Sequence, residues 1–151
     1  MKRGTRVLCA IVCAAAGTLY LVAEQASRTS LDGVYTEDQA KRGREIYGEQ
    51  CVECHGRELE GKYESAALAD DQFRSNWEGQ TLLELFDRIR VTMSGDAPGM
   101  ISTGPPKPLT REQSADLVAF LLWFNGAPAG KAELSTKAEV LREIRFQSPK
   151  Q

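Results

Sequence analysis

The chain contains 151 residues, of which 42% are hydrophobic and 26% are charged. This is the composition of one ordinary globular domain, and it excludes a disordered, collagen-like or polytopic membrane protein. The formal net charge of −2 excludes a broadly basic protein, so no nucleic-acid partner is expected. The chain has four cysteines and one histidine, and a single histidine excludes any metal site with two imidazole ligands.

The first residues have the pattern of an export segment. Lys2, Arg3 and Arg6 precede an uncharged run over residues 7–23, which is the order found in a secretory signal peptide. The run is also just long enough to be a short N-terminal membrane anchor, and no clean cleavage site decides between the two. In both cases the rest of the chain is exported. We therefore expect a periplasmic protein, either soluble or tethered to the inner membrane through residues 7–23.

Two of the four cysteines, Cys9 and Cys13, lie within this apolar run. No lipoprotein motif precedes either of them, and we interpret both as small apolar residues of an apolar segment. Cleavage after Ala23 would remove three cations and lower the net charge from −2 to −5. It would leave Cys51 and Cys54 as the remaining cysteines.

The exported part begins with a predicted linker and a predicted helix. Residues 24–35 contain Ser, Thr and Gly with little periodicity, which indicates a linker. Thr36 begins a helix that runs to about Gln50, and Gln39 stands three residues later, where a capping box needs it. Gly43 lies on the apolar face of this helix, so we expect another helix to approach closely there.

Three further helices follow, separated by two loops. Apolar residues at helical spacing predict helices over residues 81–90, 110–124 and 135–146. Thr110 and Gln113 again fit a capping box. Residues 56–80 and the proline-rich residues 94–108 are predicted to be loops, and no strand pattern is visible. The predicted helices carry few apolar residues for a domain of this size. The domain therefore needs a disulfide, a metal or a cofactor for stability.

The single histidine closes the run Cys51-Val52-Glu53-Cys54-His55. Cys-x-x-Cys-His is the attachment sequence of a c-type haem, in which two thiols bond to the haem vinyl groups and the histidine binds the iron. A thioredoxin-like motif needs neighbouring strands, and a structural zinc site needs four ligands. Two cysteines at this spacing rarely serve only as a structural disulfide. The motif predicts one covalent haem c on Cys51 and Cys54, with His55 as an axial ligand.

The second axial ligand of the iron cannot be a histidine, because the chain has only one. Methionine, lysine, water or an empty position remain. Met93 and Met100 are the candidate thioether ligands, and a thioether raises the reduction potential, as suits an electron carrier. Either methionine could instead fill a gap in a loop. Spacing alone does not choose between them.

Several segments of the chain match a known family. They are Asp32-Gly33-Val34-Tyr35-Thr36, Gln39-Ala40-x-Arg42-Gly43, CVECHG at 51–56, Trp77-x-Gly79-x-Thr81-Leu82-x-x-Leu85-Phe86-x-x-Ile89-Arg90, Ala115-Asp116-x-Val118-Ala119-Phe120 and Asn125-Gly126-x-Pro128-Ala129-Gly130. On these segments the chain resembles the monohaem class I cytochromes c, in particular the bacterial group that accompanies quinoprotein (PQQ-dependent) dehydrogenases. The resemblance extends over nearly all of residues 32–130.

The resemblance implies an all-α class I cytochrome c fold, with three to four helices wrapped around one covalent haem. The domain would span residues 36–130, and its N- and C-terminal helices would cross, so that Gly43 and Tyr47 meet the helix around Phe120. Resemblance to the family's Thr-Met-Pro run assigns the sixth ligand to Met93, with Ser94 in place of the usual proline, and leaves Met100 as the alternative.

The resemblance also implies the surroundings of the haem. A backbone carbonyl in the stretch Ala66-Ala67-Leu68 would accept the second N–H of the axial histidine. The expected haem-pocket residues are Leu59, Leu68, Phe73, Trp77, Leu82, Phe86 and Leu121.

The implied function is electron transfer rather than catalysis. The donor would be a dehydrogenase and the acceptor an oxidase or another cytochrome, with transfer at the haem edge around Cys51 and Cys54 through a small transient interface. An acidic surface favours a partner with a basic docking patch. One alternative is a permanent haem subunit of a quinoprotein dehydrogenase, docked through an amphipathic tail at 131–151, although we favour a tail packed on its own domain. A less favoured alternative is an enzyme or sensor with an open iron site.

Overall fold

The structure is a computed structural model that describes residues 28–93 and 108–150. Two short strands, β1 (Arg28–Thr29) and β2 (Ile144–Arg145), pair in parallel. The helices in the described ranges are α1 (Glu37–Gln50), α2 (Val52–His55), α3 (Asp71–Trp77), α4 (Leu82–Thr92), α5 (Arg111–Phe124) and α6 (Ala138–Arg142). The predicted all-α class I cytochrome c fold is confirmed. None of these helices is long and apolar enough to cross a membrane.

Helices α1 and α5 pack against each other at Gly43. A β-carbon at Gly43 would lie within 3.0 Å of the backbone carbonyl of Asp116, and 2.8 Å from the β-carbon of Phe120. The ring of Tyr47 lies one turn further along α1, with its centroid 5.1 Å from that of Phe120. The close approach predicted from the glycine is therefore confirmed, because only a residue without a side chain fits at the crossing.

An ion pair joins the same two helices beside the glycine. Arg42 donates through Nε and Nη2 to the two carboxylate oxygens of Asp116, over 3.0 and 2.9 Å, and through Nη2 to Glu133 over 2.8 Å. The Asp116 side chain is only 10% exposed, so it needs this cation to offset the cost of burying its charge. The two carboxylates raise the pKa of the Arg42 guanidinium, which stays charged.

Helices α4 and α5 begin at capping boxes. Thr81 Oγ1 accepts from the Glu84 N–H over 3.2 Å, and the Glu84 carboxylate accepts from the Thr81 N–H over 2.7 Å. Thr110 and Gln113 repeat the arrangement at the start of α5. The predicted starts of both helices are confirmed, because each box satisfies backbone N–H groups that have no partner within the helix.

The box predicted at Thr36 is only half formed. Thr36 Oγ1 accepts from the Gln39 N–H over 3.2 Å, but the Gln39 side chain does not reach back to Thr36. It is buried, where its amide exchanges two hydrogen bonds with the backbone N–H and carbonyl of Leu134, over 2.6 and 3.2 Å. The prediction for Gln39 was wrong because a distant backbone segment offers it a buried partner.

The described part of the predicted linker belongs to the folded domain. Val34 and Tyr35 are buried in the core, and the Tyr35 hydroxyl donates to the carbonyl of Ala127 over 2.6 Å. Ser30 is also buried and accepts from the Gln147 N–H over 2.9 Å. Residues 28–35 therefore differ from a linker, because long-range contacts fix them.

The C-terminal segment also packs on the domain. Helix α6 ends at Arg142, earlier than predicted, and the chain becomes extended so that Phe146 exchanges backbone hydrogen bonds with Gln80 and Gly79 over 2.8 and 2.9 Å. Leu141, Ile144 and Phe146 are almost completely buried. We therefore find this tail folded against its own domain, as the favoured interpretation expected.

Helix α3 was missed in the predicted loop at residues 56–80. Asp70 Oδ1 accepts from the Phe73 N–H over 2.7 Å and caps the helix. Phe73 and Trp77 lie one turn apart, with their ring centroids 6.2 Å from each other. An N-cap aspartate followed by aromatic residues four apart was the signal in the sequence.

Candidate haem-binding site

The Cys-x-x-Cys-His run occupies the end of α1 and the single turn of α2. The Cys51 N–H donates to the Tyr47 carbonyl over 2.9 Å, and the His55 N–H donates to the Cys51 carbonyl over 2.9 Å. Helical backbone thus brings Cys51, Cys54 and His55 onto one turn. Cys51 is partly buried and Cys54 is exposed, and neither is joined in a disulfide. Two thiols and one imidazole lie together at the surface.

The environment of the Cys51 thiol disfavours the thiolate form. Burial, and secondarily the neighbouring Cys54, raise the pKa of Cys51 to about 11. Reactive cysteines in redox enzymes have a lowered pKa and so form the thiolate near neutral pH. The environment of Cys51 therefore does not favour the thioredoxin-like interpretation of the Cys-x-x-Cys pair.

The imidazole of His55 is oriented by the backbone carbonyl of Ala66. His55 Nδ1 lies 2.8 Å from that carbonyl oxygen. A carbonyl can only accept, so Nδ1 carries the proton and Nε2 keeps its lone pair for a metal. The hydrogen bond expected in the stretch 66–68 is therefore confirmed, at Ala66.

The loop after the motif is held to the rest of the protein by buried hydrogen bonds. The Tyr47 hydroxyl donates to the Gly56 carbonyl over 2.7 Å, and burial raises the pKa of Tyr47, which remains a donor. Leu68 donates its N–H to the Leu59 carbonyl over 2.8 Å. Asn125, at the end of α5, donates to the Leu68 carbonyl over 2.9 Å. These contacts fix the position of the carbonyl that orients the histidine.

The residues predicted to surround the haem belong to one apolar cluster. Five of the seven are buried, and the remaining two, Leu68 and Trp77, are partly buried and packed against the cluster. Leu59 is completely buried, although its φ of +58° is unusual for a residue with a side chain. The buried members are Leu59, Phe73, Leu82, Phe86 and Leu121.

The candidate ligand Met93 lies at the end of α4. Its N–H donates to the Ile89 carbonyl over 3.3 Å, and the residue is 37% exposed. At 3.6 residues per turn, Leu82, Phe86 and Met93 fall within an arc of about 40° on one face of α4. The methionine therefore shares a face with two predicted pocket residues. Met100 lies outside the described residues.

These residues fit a covalently bound haem. The motif turn offers two thiols and an imidazole whose Nε2 is free to bind a metal, and α4 presents apolar side chains and a thioether on one face. Imidazole nitrogen and thioether sulfur are both donors that haem iron accepts in proteins.

Comparison with known families agrees with this geometry. The cytochrome c family model matches residues 40–125, which is more than half of the chain and includes the whole motif. The chain therefore belongs to the cytochrome c family, and it is a haem-binding electron carrier with covalently attached haem c. No curated protein matches the chain at a significant level.

Proposed function

We propose that this cytochrome is an exported monohaem carrier that accepts single electrons from a quinoprotein dehydrogenase and delivers them to an oxidase or another cytochrome. The observation that carries the proposal is the hydrogen bond from His55 Nδ1 to the Ala66 carbonyl. It leaves Nε2 as a metal ligand on the same turn as two thiols. The haem supplies a one-electron Fe(III)/Fe(II) couple when bound, and the protein orients its ligands and excludes water.

Each motif residue has a separate role in this proposal. Cys51 and Cys54 form the two thioether bonds, and His55 binds the iron through Nε2. Covalent attachment is tested by haem staining after denaturing electrophoresis and by the pyridine haemochrome spectrum. Cys51→Ala and Cys54→Ala should each leave one thioether and shift the haemochrome band, and the double variant should lose covalent haem. Cys13→Ala is the matched control, and an equal loss of haem there would contradict the assignment.

Met93 is proposed as the sixth ligand. A methionine that fills a core gap is buried, whereas Met93 is 37% exposed and shares a face with Leu82 and Phe86. Met93→Ala should convert the ferric protein to high spin and remove the red charge-transfer band of a thioether-ligated iron. Met100→Ala should leave both features unchanged. Loss of low-spin character in the Met100 variant alone would transfer the role to that residue, and a high-spin wild-type protein would favour the open-site alternative.

Electron transfer is proposed to take place at the surface around the motif. Exposed Cys54 and a surface groove of about 540 Å³, lined in part by Val52 and Trp123, lie in this region. Trp123 is 46% exposed, and an exposed aromatic residue beside a redox site is suited to a small transient interface. Trp123→Ala should slow electron exchange with the partner dehydrogenase without changing the haem spectrum, measured by stopped-flow absorbance.

Two parts of the proposal, export of the protein and its existence apart from a dehydrogenase complex, are tested on the native protein. Residues 7–23, the proposed signal or tether, lie outside the described residues. Cell fractionation followed by mass spectrometry of the N-terminus would show whether they are removed. Size-exclusion chromatography of a native extract should give a haem-containing peak at the size of the monomeric protein. Co-elution of all the haem with a dehydrogenase would support a permanent subunit instead, although the apolar side chains of the proposed docking tail, Leu141, Ile144 and Phe146 among them, are buried in its own domain.

A further inference from the structure

The surface groove beside the motif is lined by two arginines, Arg44 on α1 and Arg57 just after the motif turn. Both are exposed, and neither takes part in the ion pairs formed within residues 28–93 and 108–150. Glu58 lines the same groove, so two cations share it with one carboxylate. The chain as a whole has a net charge of −2. The groove is therefore a local positive site on an acidic protein.

Aromatic rings also line the groove. Trp123 is exposed and stacks on Phe120, with the two ring centroids 6.2 Å apart. Phe124 packs edge-on against Phe120 over 5.9 Å. Tryptophan and arginine are among the residue types most enriched where binding energy concentrates at protein interfaces. A groove with these two kinds of side chain fits a segment that carries both negative charge and an apolar side chain.

Gly48 of α1 lines the groove without a reason in the fold. It is not among the described residues with a positive φ, and a β-carbon there would meet no described atom within 4 Å. Gly43, on the same helix, is by contrast required by the close approach of α5. Glycine destabilises a helix relative to alanine, so backbone conformation and internal packing both fail to account for Gly48. Its missing side chain leaves open space where a bound group can approach the backbone.

We propose that this groove binds an acidic segment of the redox partner, with carboxylates on Arg44 and Arg57 and an apolar side chain beside Gly48 and Trp123. A guanidinium pairs with a carboxylate through two parallel N–H···O bonds. Pockets for small ligands usually bury about 70–90% of the ligand surface, which a groove open to solvent does not do. A protein covers the groove from outside and removes Trp123 from water.

This proposal deepens the proposed electron-transfer function and rests on it, because the occupant belongs to the redox partner. The basic patch expected on that partner faces the acidic part of the cytochrome surface, and the acidic segment faces the groove. Two contacts of opposite sign allow one orientation of the complex, since a reversed orientation brings like charges together.

The test is calorimetric titration of the holoprotein with two short peptides that have blocked ends. One peptide has a leucine between two pairs of glutamates, and the other has the same leucine between two pairs of glutamines. Non-specific attraction to an acidic protein would favour the uncharged peptide, so a preference for the glutamate peptide requires a local positive site. We expect this preference, and we expect it to disappear in about 1 M salt, which screens exposed charges.

The variants separate charge from space in the groove. Arg44→Gln and Arg57→Gln should each weaken binding of the glutamate peptide about 1.5- to fivefold, as for an exposed ion pair, and leave the glutamine peptide unchanged. Arg88→Gln is the matched control, because Arg88 is exposed on α4 and does not line the groove. Gly48→Gln should weaken both peptides roughly tenfold, because it fills the space that the leucine occupies. Its free energy of unfolding should not fall below that of the wild type, which separates a blocked groove from a damaged fold.

Three results would overturn the proposal: equal affinity for the two peptides, equal effects of Arg57→Gln and Arg88→Gln, or wild-type binding in Gly48→Gln. The assignment to the redox partner has its own measurement. The glutamate peptide at saturation should slow electron exchange with the quinoprotein dehydrogenase in stopped-flow experiments, and an unchanged rate would contradict that assignment. An absence of electron exchange without any peptide would instead contradict the proposed function, and the calorimetric binding would stand.

Discussion

The crossing of α1 and α5 gives the sharpest test of the packing argument, because α1 contains two glycines in opposite environments. A β-carbon at Gly43 would approach the Asp116 carbonyl and the Phe120 β-carbon to within 3.0 Å. A β-carbon at Gly48 would meet nothing within 4 Å. The same substitution, glycine to alanine, is therefore expected to have opposite effects at the two positions.

The magnitudes follow from helix propensity and from overpacking. Alanine is favoured over glycine inside a helix by about 1 kcal/mol, so Gly48→Ala should raise the free energy of unfolding by up to that amount. At Gly43 this gain is opposed by a clash with backbone and a β-carbon, neither of which can rotate away. Overpacking of this kind costs about 1–3 kcal/mol, and displacing α5 would also weaken the pair between Arg42 and Asp116. We expect Gly43→Ala to lower the free energy of unfolding by about 1–4 kcal/mol.

The assay is denaturant unfolding of the holoprotein, followed by far-ultraviolet circular dichroism. Both variants should keep the wild-type slope with denaturant, so that the shift in midpoint measures stability. Gly48→Ala should move the midpoint up and Gly43→Ala should move it down. The reasoning would be refuted if Gly43→Ala were as stable as the wild type, because the helices would then have room that the structure does not show.

Three further predictions concern single polar contacts. Asp116→Asn should lower the unfolding free energy by about 1–2 kcal/mol in denaturant titrations, whereas the more exposed Glu133→Gln should change it by under about 0.5 kcal/mol. Hydrogen bonds from Thr81 lower the pKa of the Glu84 carboxylate in the folded protein. The free energy of unfolding lost in Glu84→Ala should therefore be at its full value above about pH 4.3, the ordinary pKa of glutamate, and should disappear as the pH falls through the lower folded-state pKa. Equal differences between variant and wild type at pH 7 and pH 2 would contradict this. Tyr47→Phe should cost about 1 kcal/mol in thermal unfolding, because it leaves a buried carbonyl without its donor.

Local features of the sequence predicted much of the fold. The capping residue Thr110 marked where α5 begins, the apolar stripe after Thr81 marked α4, and Gly43 indicated the helix crossing. The five-residue motif is itself local, since one helical turn places Cys51 and His55 together. In each case the physical cause acts within a few residues, so it leaves a pattern that the sequence shows directly.

Long-range partners left no such pattern. Residues 28–35 were predicted to be a linker because nothing local orders them, yet Ser30 bonds to Gln147, 117 residues away. The same holds for Gln39, whose side chain was expected to cap its own helix and instead binds Leu134. Two-residue strands are also too short to show alternation. These segments are ordered by partners that only the folded chain brings near.

Arg90 shows a local rule that the folded structure overrides. At 3.6 residues per turn it lies about 40° beyond Phe86, at the edge of the apolar stripe of α4. A cation at such an edge normally turns its charge to solvent, but here Nε is buried, with no hydrogen-bond partner in the part of the chain that the structure describes. The guanidinium carbon lies over the Phe86 ring, 5.9 Å from its centroid. Sequence spacing places Arg90 beside the stripe, but only the folded chain shows which ring its side chain covers.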